Sequence, residues 1–542
     1  MQEESKQENG GKDGLRTMSG NKCVNCLLAI AAVLLVNKEF AIRADSPQII
    51  QQTAVGGSAN DVPCQVKVLP DGKVVIGGES TSTNGNRTSP TYGAKDFWVV
   101  CLSSSGAISW ERSFGGIGND QLQALEVVRT NQMILAGGSS SPASGNKTTS
   151  NYGLRDFWVI LIDANGGEIW ERSFGGSDDD IAYSVAETAD GGFIVGGYSR
   201  SPASGNKSAP CRGEGDFWVV KLDKNGNKLW DQSYGGAGDD GAFSLVPLPT
   251  GSVMVAGNSA SEPGGNKRTG NFGYYDLWLL RLDAGGDIEW EKVYGGDSDD
   301  GYYSVSLRRT PGGDLILGAD SFSGATGNKS SANLGQDDFW LLRLDSTGNP
   351  LWEATCGGTD NDYLTSLLLT SDGGVVAGGG SNSGITGNKT AGCRGSTDFW
   401  LVKLDASGKS QWDKSVGGTD ADAFMGLSLA QTTNGNVLCC GDSGSSADGD
   451  KTVPSLGATD FWLVALAAAS AQAPSLSISL EAGVPRVVLS GETGRTYVTD
   501  ASGDLQAWNP VATNQLTSPT ATVVDPQQAI NSKRFYRARL VE

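Results

Sequence analysis

GDFWVVKLDKNGNKLWDQSYGG, residues 215–236, sets two tryptophans on either side of an L-D-x-x-G-N turn and closes on a glycine pair. Variants of this stretch return along most of the chain. A tryptophan preceded by Asp-Phe or Asp-Leu stands at Trp98, Trp158, Trp218, Trp278, Trp340, Trp400 and Trp462, spaced by 60 or 62 residues. A second series, Trp110, Trp170, Trp230, Trp290, Trp352 and Trp412, has six members, whereas the glycine pairs number seven. A period of this length means stacked supersecondary units, arranged either as a solenoid or as a closed ring.

Each unit reads as four strands. A short strand follows the glycine pair (Tyr183–Thr188 in one copy), and a second resembles FIVGGYS. A long polar loop then leads into the DFW strand and, after a tight turn, the second-tryptophan strand. In DFWVVKLD, Phe217 and Val219 face one side while Trp218, Val220 and Leu222 face the other. A strand apolar on both faces is sandwiched between neighbouring sheets. Four-stranded sheets covered on both faces and repeated describe an all-β β-propeller. The last unit ends at Asp460-Phe461-Trp462 without its fourth strand, and that strand is present at the other end. SPQIIQQTAVGG (residues 46–57) aligns with GGEIWERSFGG (residues 166–176), placing Ile50 at Ile169, Val55 at Phe174 and Gln51 at the tryptophan. The expectation is a seven-bladed β-propeller whose N-terminal strand closes the ring and leaves no free edge. Both tryptophan series are expected in its core, each ring worth roughly 4–6 kcal/mol as an upper bound.

The expected domains are a signal peptide (1–44), the propeller (45–467), a small-residue linker (468–477) and a small β-sandwich (478–542). The leader reading rests on Lys22, the apolar run CLLAIAAVLLV and a cleavage position after Ala44. Export to the periplasm, cell surface or medium follows, with no membrane span after cleavage. In the last segment, PRVVLSG, RTYVTDA and ATVVD alternate as strands do, with Trp508 and Tyr497 as candidate core residues.

Composition limits the chemistry. The net charge of −20 argues against nucleic acid as partner. Histidine is absent, which removes Ser-His-Asp and Cys-His catalysis and histidine-held metals, leaving carboxylate, tyrosine, lysine or metal-carboxylate chemistry. Cys23 and Cys26 lie in the leader. The seven other cysteines, an odd number, read as small core hydrophobes, and adjacent Cys439 and Cys440 point to opposite strand faces.

Three polar signatures recur. One aspartate lies four residues after each glycine pair: Asp61, Asp120, Asp180, Asp240, Asp300, Asp362 and Asp422. Another precedes each Phe/Leu-Trp: Asp96, Asp156, Asp216, Asp276, Asp338, Asp398 and Asp460. A lysine or arginine stands nine residues before each of the latter, in G-[ND]-[KR]. Strand polarity puts all three on the long-loop face. Chemistry needs a group once, so sevenfold repetition reads as structural, with the carboxylates expected to cap turns and pair with the cation. No cofactor is expected. Extra acids at Asp178, Asp179, Asp299 and Asp360 raise Ca²⁺ as an alternative, but D-x-D-x-D-G spacing is absent. The asparagines of N-x-[ST] at Asn86, Asn146, Asn206, Asn328 and Asn388 read as loop chemistry. Function should break the symmetry, and the residue five after each cation does so. Tyr92, Tyr152, Arg212 and Phe272 are therefore the candidate ligand-binding arc, against the alternative that each tucks under its own loop.

DGGFIVGGYS, DFWVVKLD, GNKLW and the SYGG/SFGG junctions resemble secreted propeller-repeat proteins of Gram-negative environmental bacteria, over roughly residues 46–467. GETGRTYVTDASGDLQAW with RFYRA looks like a short C-terminal module of exported proteins. The resemblance implies export and fold but transfers no catalytic motif, although some such proteins are endoglucanase-like by similarity. The favoured expectation is a non-catalytic binding or scaffold protein recognising an extracellular glycan or a surface protein through its long-loop face. A carboxylate-dependent carbohydrate-active enzyme is the alternative. The sequence leaves oligomeric state open.

Overall fold

The computed structural model describes residues 46–128, 131–468, 475–481, 484–491, 496–502, 506–516, 520–525 and 535–541. The expected leader and its Cys23 and Cys26 lie outside them. The described residues form strands and no helix, so no helix among them is long and apolar enough to cross a membrane. Seven four-stranded antiparallel sheets, six of them simple meanders, account for residues 49–466, and two three-stranded sheets follow.

The chain is a β-propeller. The first strands of successive sheets pack on one another, from Asp61–Val68 through Asp422–Gln431 and back to Asp61–Val68, and so line the axis. The second-tryptophan strands are outermost. Alternation in the DFW strand divides its side chains as expected. Phe217 and Val219 join the core layer of Trp278, while Trp218 and Val220 join that of Phe157. The phenylalanine of one sheet tilts against the DFW tryptophan of the next. Phe97–Trp158, Phe157–Trp218, Phe217–Trp278, Phe339–Trp400, Phe399–Trp462 and Phe461–Trp98 have ring centroids 4.5–5.1 Å apart. The Phe461–Trp98 pair joins the last sheet to the first. Between the fourth and fifth sheets, Leu277 takes the phenylalanine's place against Trp340.

The last sheet takes its fourth strand from the N-terminal side. Ile49–Val55 runs antiparallel to Asp460–Leu466, with Val55 opposite Phe461 and Ile49 opposite Leu466. The alignment made on sequence holds by burial. Ile50 and Ile169 are both exposed, and Val55 and Phe174 both buried.

The two tryptophan series differ, which corrects the expectation that both are core. The DFW tryptophans are fully buried, whereas in the second series only Trp412 is buried and the other five are half-exposed. An outermost strand has no sheet beyond it, so its ring covers instead the hairpin of the next sheet. Trp110, Trp230 and Trp352 donate their indole N–H to the carbonyls of Ala164, Ala284 and Ala406 at 3.2, 3.1 and 3.0 Å. The hairpin glycine beneath must stay bare: Gly226 has φ 78°, and a Cβ there would lie 2.9 Å from the Trp170 ring. Where Gln51 replaces the tryptophan, opposite Gly106, a cleft of about 280 Å³ opens at the seam, lined by Ile50, Thr53, Leu463 and Ala465.

No disulfide joins the described cysteines, and Cys439 and Cys440 enter core layers on opposite faces of their sheet. In the C-terminal segment, the strand Ser475–Glu481 begins within the last three residues of the stretch expected to be linker. Tyr497 is buried with Val487, Leu489 and Val523. Trp508 departs from expectation: it is half-exposed, with the Arg537 guanidinium 4.6 Å from its ring.

Candidate functional site

The long loops, glycine pairs and repeated aspartates share one rim, because in each sheet the strand ends line up. Asp120 lies opposite Ser139 and Ser139 opposite Asp156. The first aspartate of each sheet caps the glycine pair before it, accepting from the second glycine's N–H: Gly57 to Asp61 at 2.7 Å, Gly116 to Asp120 at 2.8 Å, Gly358 to Asp362 at 2.7 Å. Gly176, Gly236, Gly296 and Gly418 do the same for Asp180, Asp240, Asp300 and Asp422. The second aspartate accepts from the N–H four residues before it. Tyr92 donates to Asp96 at 3.1 Å, Tyr152 to Asp156 at 2.6 Å and Arg212 to Asp216 at 2.9 Å. Phe272, Leu334, Arg394 and Leu456 serve Asp276, Asp338, Asp398 and Asp460 alike. Burial pushes Asp156 and Asp276 up to about 7 and Asp216 and Asp338 up to about 6.

The expected carboxylate–cation pairing holds only in part. Arg87 reaches Asp96 at 2.5 Å, both side chains fully buried. The six lysines turn elsewhere. Lys147 donates to the Thr149 carbonyl and Ser173 hydroxyl, and the lysine ammonium lies over the DFW tryptophan at 4.4–5.8 Å. An ammonium gives up less on burial when hydroxyl, carbonyl and ring faces all receive it. Burial still pulls these lysines down, Lys389 to about 8.

Sequence reasoning missed the true clamp of the long loop, the acid directly after each outer tryptophan. Glu111 accepts from the Thr88 and Ser89 amides, both their hydroxyls and the Trp98 indole. Glu171, Asp231 and Asp413 repeat the arrangement. The signal was present as W-[ED] in all six second-series copies. The G-[ND]-[KR] asparagines are also occupied. Asn146 accepts from the Gly115 N–H at 2.8 Å and donates to the Ser113 carbonyl at 2.9 Å, and Asn266, outside any N-x-[ST], does the same for Gly235 and Ser233.

Tyr92, Tyr152, Arg212 and Phe272 stand one per junction, and no ring contact joins them among the described residues. Each covers the turn glycine of the following sheet's long loop. A Cβ on Gly145, Gly205, Gly265 or Gly327 would meet Tyr92, Tyr152, Arg212 or Phe272 at 2.7–2.9 Å. They lie over a neighbour's loop, not under their own.

The symmetry breaks nearer the axis. The residue just before each DFW aspartate meets the residue leading into the next sheet, as Lys95 meets Asn119 and Asp337 meets Asn361. Around the ring this position is Lys95, Arg155, Gly215, Tyr275, Asp337, Thr397 and Thr459. The residue before the second-strand serine that faces the DFW aspartate is Glu79, Gly138, Tyr198, Asn258, Asp320, Gly380 and Asp442. At the first junction, Lys95 pairs with Glu79 at 2.5 Å, and at the second, Arg155 pairs with Asp179 at 2.9 Å. At the third, the Tyr198 hydroxyl donates to Asp239 at 2.6 Å. The fifth junction holds two acids. Asp320 and Asp337 are fully buried. Asp320 accepts from the Tyr303 and Ser304 amides at 3.1 Å each, while neither Asp337 oxygen has a hydrogen-bond partner. Burial first, then the neighbouring Asp320 and Asp338, push the Asp337 carboxyl far up.

Above this pair runs a chain of aromatic rings. Tyr274, Tyr275, Tyr302 and Tyr303 follow one another at 4.9, 5.8 and 5.1 Å, and Tyr303 continues to Phe322 and Tyr363 at 6.4 and 5.8 Å. Tyr274, Tyr302 and Tyr303 are 65, 51 and 55% exposed. Tyr302 and Tyr303 project because the first strand of the fifth sheet, Asp300–Arg309, is, like Asp422–Gln431 in the seventh, two residues longer than the other five and breaks register between Asp300 and Val305. The 62-residue spacing was the sequence signal for this insertion.

Among the described residues, no group of three or more Cys, Asp or Glu side chains is placed to hold a metal. Of the extra acids, Asp179 pairs with Arg155, Asp178 accepts from the Asp179 amide, and Asp299 accepts from the Tyr275 amide. The D-x-x-G-N acids are used by their own hairpins: Asp223 accepts from Asn225 and Asn227 amides at 2.8 Å each.

No family model matches the chain. Over 420 residues, 71% of its length, it is 24% identical to Regulatory protein FlaEY of Caulobacter vibrioides. It spans 42% of that protein. Among solved structures, the Pan2 WD40 domain of Neurospora crassa aligns with 78% of this chain and 96% of its own, at 10% identity and TM-score 0.42. BBS1N, solved in complex with ARL6DN, aligns over 78% and 97%, at 9% identity and TM-score 0.40.

Proposed function

We propose that this is a non-catalytic binding or scaffold protein, a seven-bladed propeller with a C-terminal β-sandwich, that works outside the cytoplasm and grips an extracellular glycan or a surface protein on its long-loop face. Each four-stranded sheet is taken as one blade, closed by Ile49–Val55. The observation that carries the binding reading is the exposed run Tyr274–Tyr275–Tyr302–Tyr303 at the inner rim. Tyrosine faces stack on sugar rings and anchor protein interfaces at small entropic cost. This recentres the contact surface from Tyr92, Tyr152, Arg212 and Phe272, which lie one to a junction against the neighbouring loop, although Tyr152 and Phe272 keep 44 and 47% exposure. The regulatory name of the Caulobacter relative fits a binding role better than catalysis.

A glycan array probed with the purified protein tests the reading. Tyr302→Ala with Tyr303→Ala is expected to abolish binding, and Tyr92→Ala with Tyr152→Ala to leave it intact. The reverse pattern would return the site to the outer arc. Reducing-sugar release from polysaccharide would overturn the non-enzymatic assignment.

A further inference from the structure

At six junctions the polar groups of the inner rim are matched. The ion pairs at the first two and the Tyr198–Asp239 bond at the third are joined by Asn258 to the Gly301 carbonyl at the fourth, Asn382 to Thr397 at the sixth and Thr459 to Asn60 at the seventh. The fifth junction has two buried acids, one with both oxygens unpartnered, and no base. Burial and the repulsion of neighbouring acids push both carboxyls up, so the pair by itself keeps a proton that an arriving ammonium would displace. The first junction shows what completes the arrangement, because Lys95 there carries its ammonium to Glu79, the counterpart of Asp320, from the position that Asp337 occupies.

We propose that the fifth junction is a subsite for the ammonium group of an amino-sugar residue, with Asp320 and Asp337 as counter-charges and Tyr303, Tyr363 and Phe322 around it. The inference rests on the rim being a glycan-binding surface and names the class of glycan. Rings next to the acids favour an organic ammonium, which an aromatic face attracts, over a metal ion, which needs more oxygens. The exposed Tyr302 and Tyr303 rings offer flat faces to the sugar that carries the ammonium. Residues between Asp300 and Val305 have no ladder partners, and Gly301 has φ 76°. The Tyr303 side chain, 55% exposed, can turn outward from above the acids while its amide stays on Asp320. A net charge of −20 draws a cationic glycan in from a distance.

The test is calorimetric titration of the full chain with glucosamine oligomers, their N-acetylated counterparts and spermidine. Glucosamine oligomers are expected to bind on the order of tenfold or more tightly than the N-acetylated ones, since acetylation removes the charge that the buried acids receive. Asp337→Asn is expected to erase that preference while keeping the weaker neutral binding. Asp337→Lys rebuilds the first junction's pair and is expected to exclude glucosamine while raising Tm, which also shows that the variant folds. Equal affinity for charged and N-acetylated oligomers, or an unchanged preference in Asp337→Asn, would overturn the ammonium site and leave the glycan reading standing. Spermidine bound in preference to glucosamine oligomers would overturn the sugar. Failure to bind any oligomer, charged or neutral, would overturn the glycan reading itself.

Discussion

Gln51 shows how a repeat is written and where it lapses. Five outer tryptophans lie over a hairpin glycine of the next sheet, while the smaller Gln51 lies against Gly106 beside an open cleft that both line. Gln51→Trp should fill that cleft and stabilise the protein by about 1–2 kcal/mol, a fraction of the full burial of an indole because the outer face stays wet. Urea unfolding measures it, and an unchanged midpoint would mean that the seam is already packed. The substituted position was legible from the aligned repeats, since six tryptophans against seven glycine pairs left one place unfilled. The cleft was not legible, because it forms where residues 50–106 meet residues 432–465 across the ring closure. The lysines teach the same lesson. Their spacing from the DFW aspartate was visible, but that they would lie over tryptophans depended on where the loop folds back.

At the scale of the element, the strand-end aspartates make stability depend on pH. Asp156, Asp216, Asp276 and Asp338 hold their protons to about 6 or 7 when folded, against 3.8 ordinarily. In that window the native state binds more protons than the unfolded chain, so stability falls as pH rises. Their favourable contribution is complete below 3.8 and gone above about 7. The acids held low by the loops, such as Asp231 at about 2, lose their contribution only below about 4. Lys389, depressed to about 8, acts only above that. Scanning calorimetry should therefore give a higher Tm at pH 5 than at pH 7.5, and Asp156→Asn with Asp276→Asn should shrink the difference. A Tm that rises across this interval would refute the assignment.

At the scale of the whole molecule, a ring is held by every sheet having two neighbours. Removing residues 46–55 takes away the outer strand of the last sheet and bares the edge of Asp460–Leu466. The shortened chain is expected to unfold at lower temperature and to self-associate on size-exclusion chromatography, since a bare strand edge pairs with whatever it meets. A monomer with unaltered Tm would show that the strand contributes nothing to closure. The sequence by itself determined the strands, their order, the faces of the DFW strand and the partner of the N-terminal strand, because each is set by spacing along the chain. Only the tertiary structure decided which polar groups meet. It gave the lysines to tryptophans, the loops to the acids after the outer tryptophans, and the inner rim to four tyrosines over an unmatched acid pair. Those contacts join neighbouring sheets, where distance in space no longer follows distance in sequence.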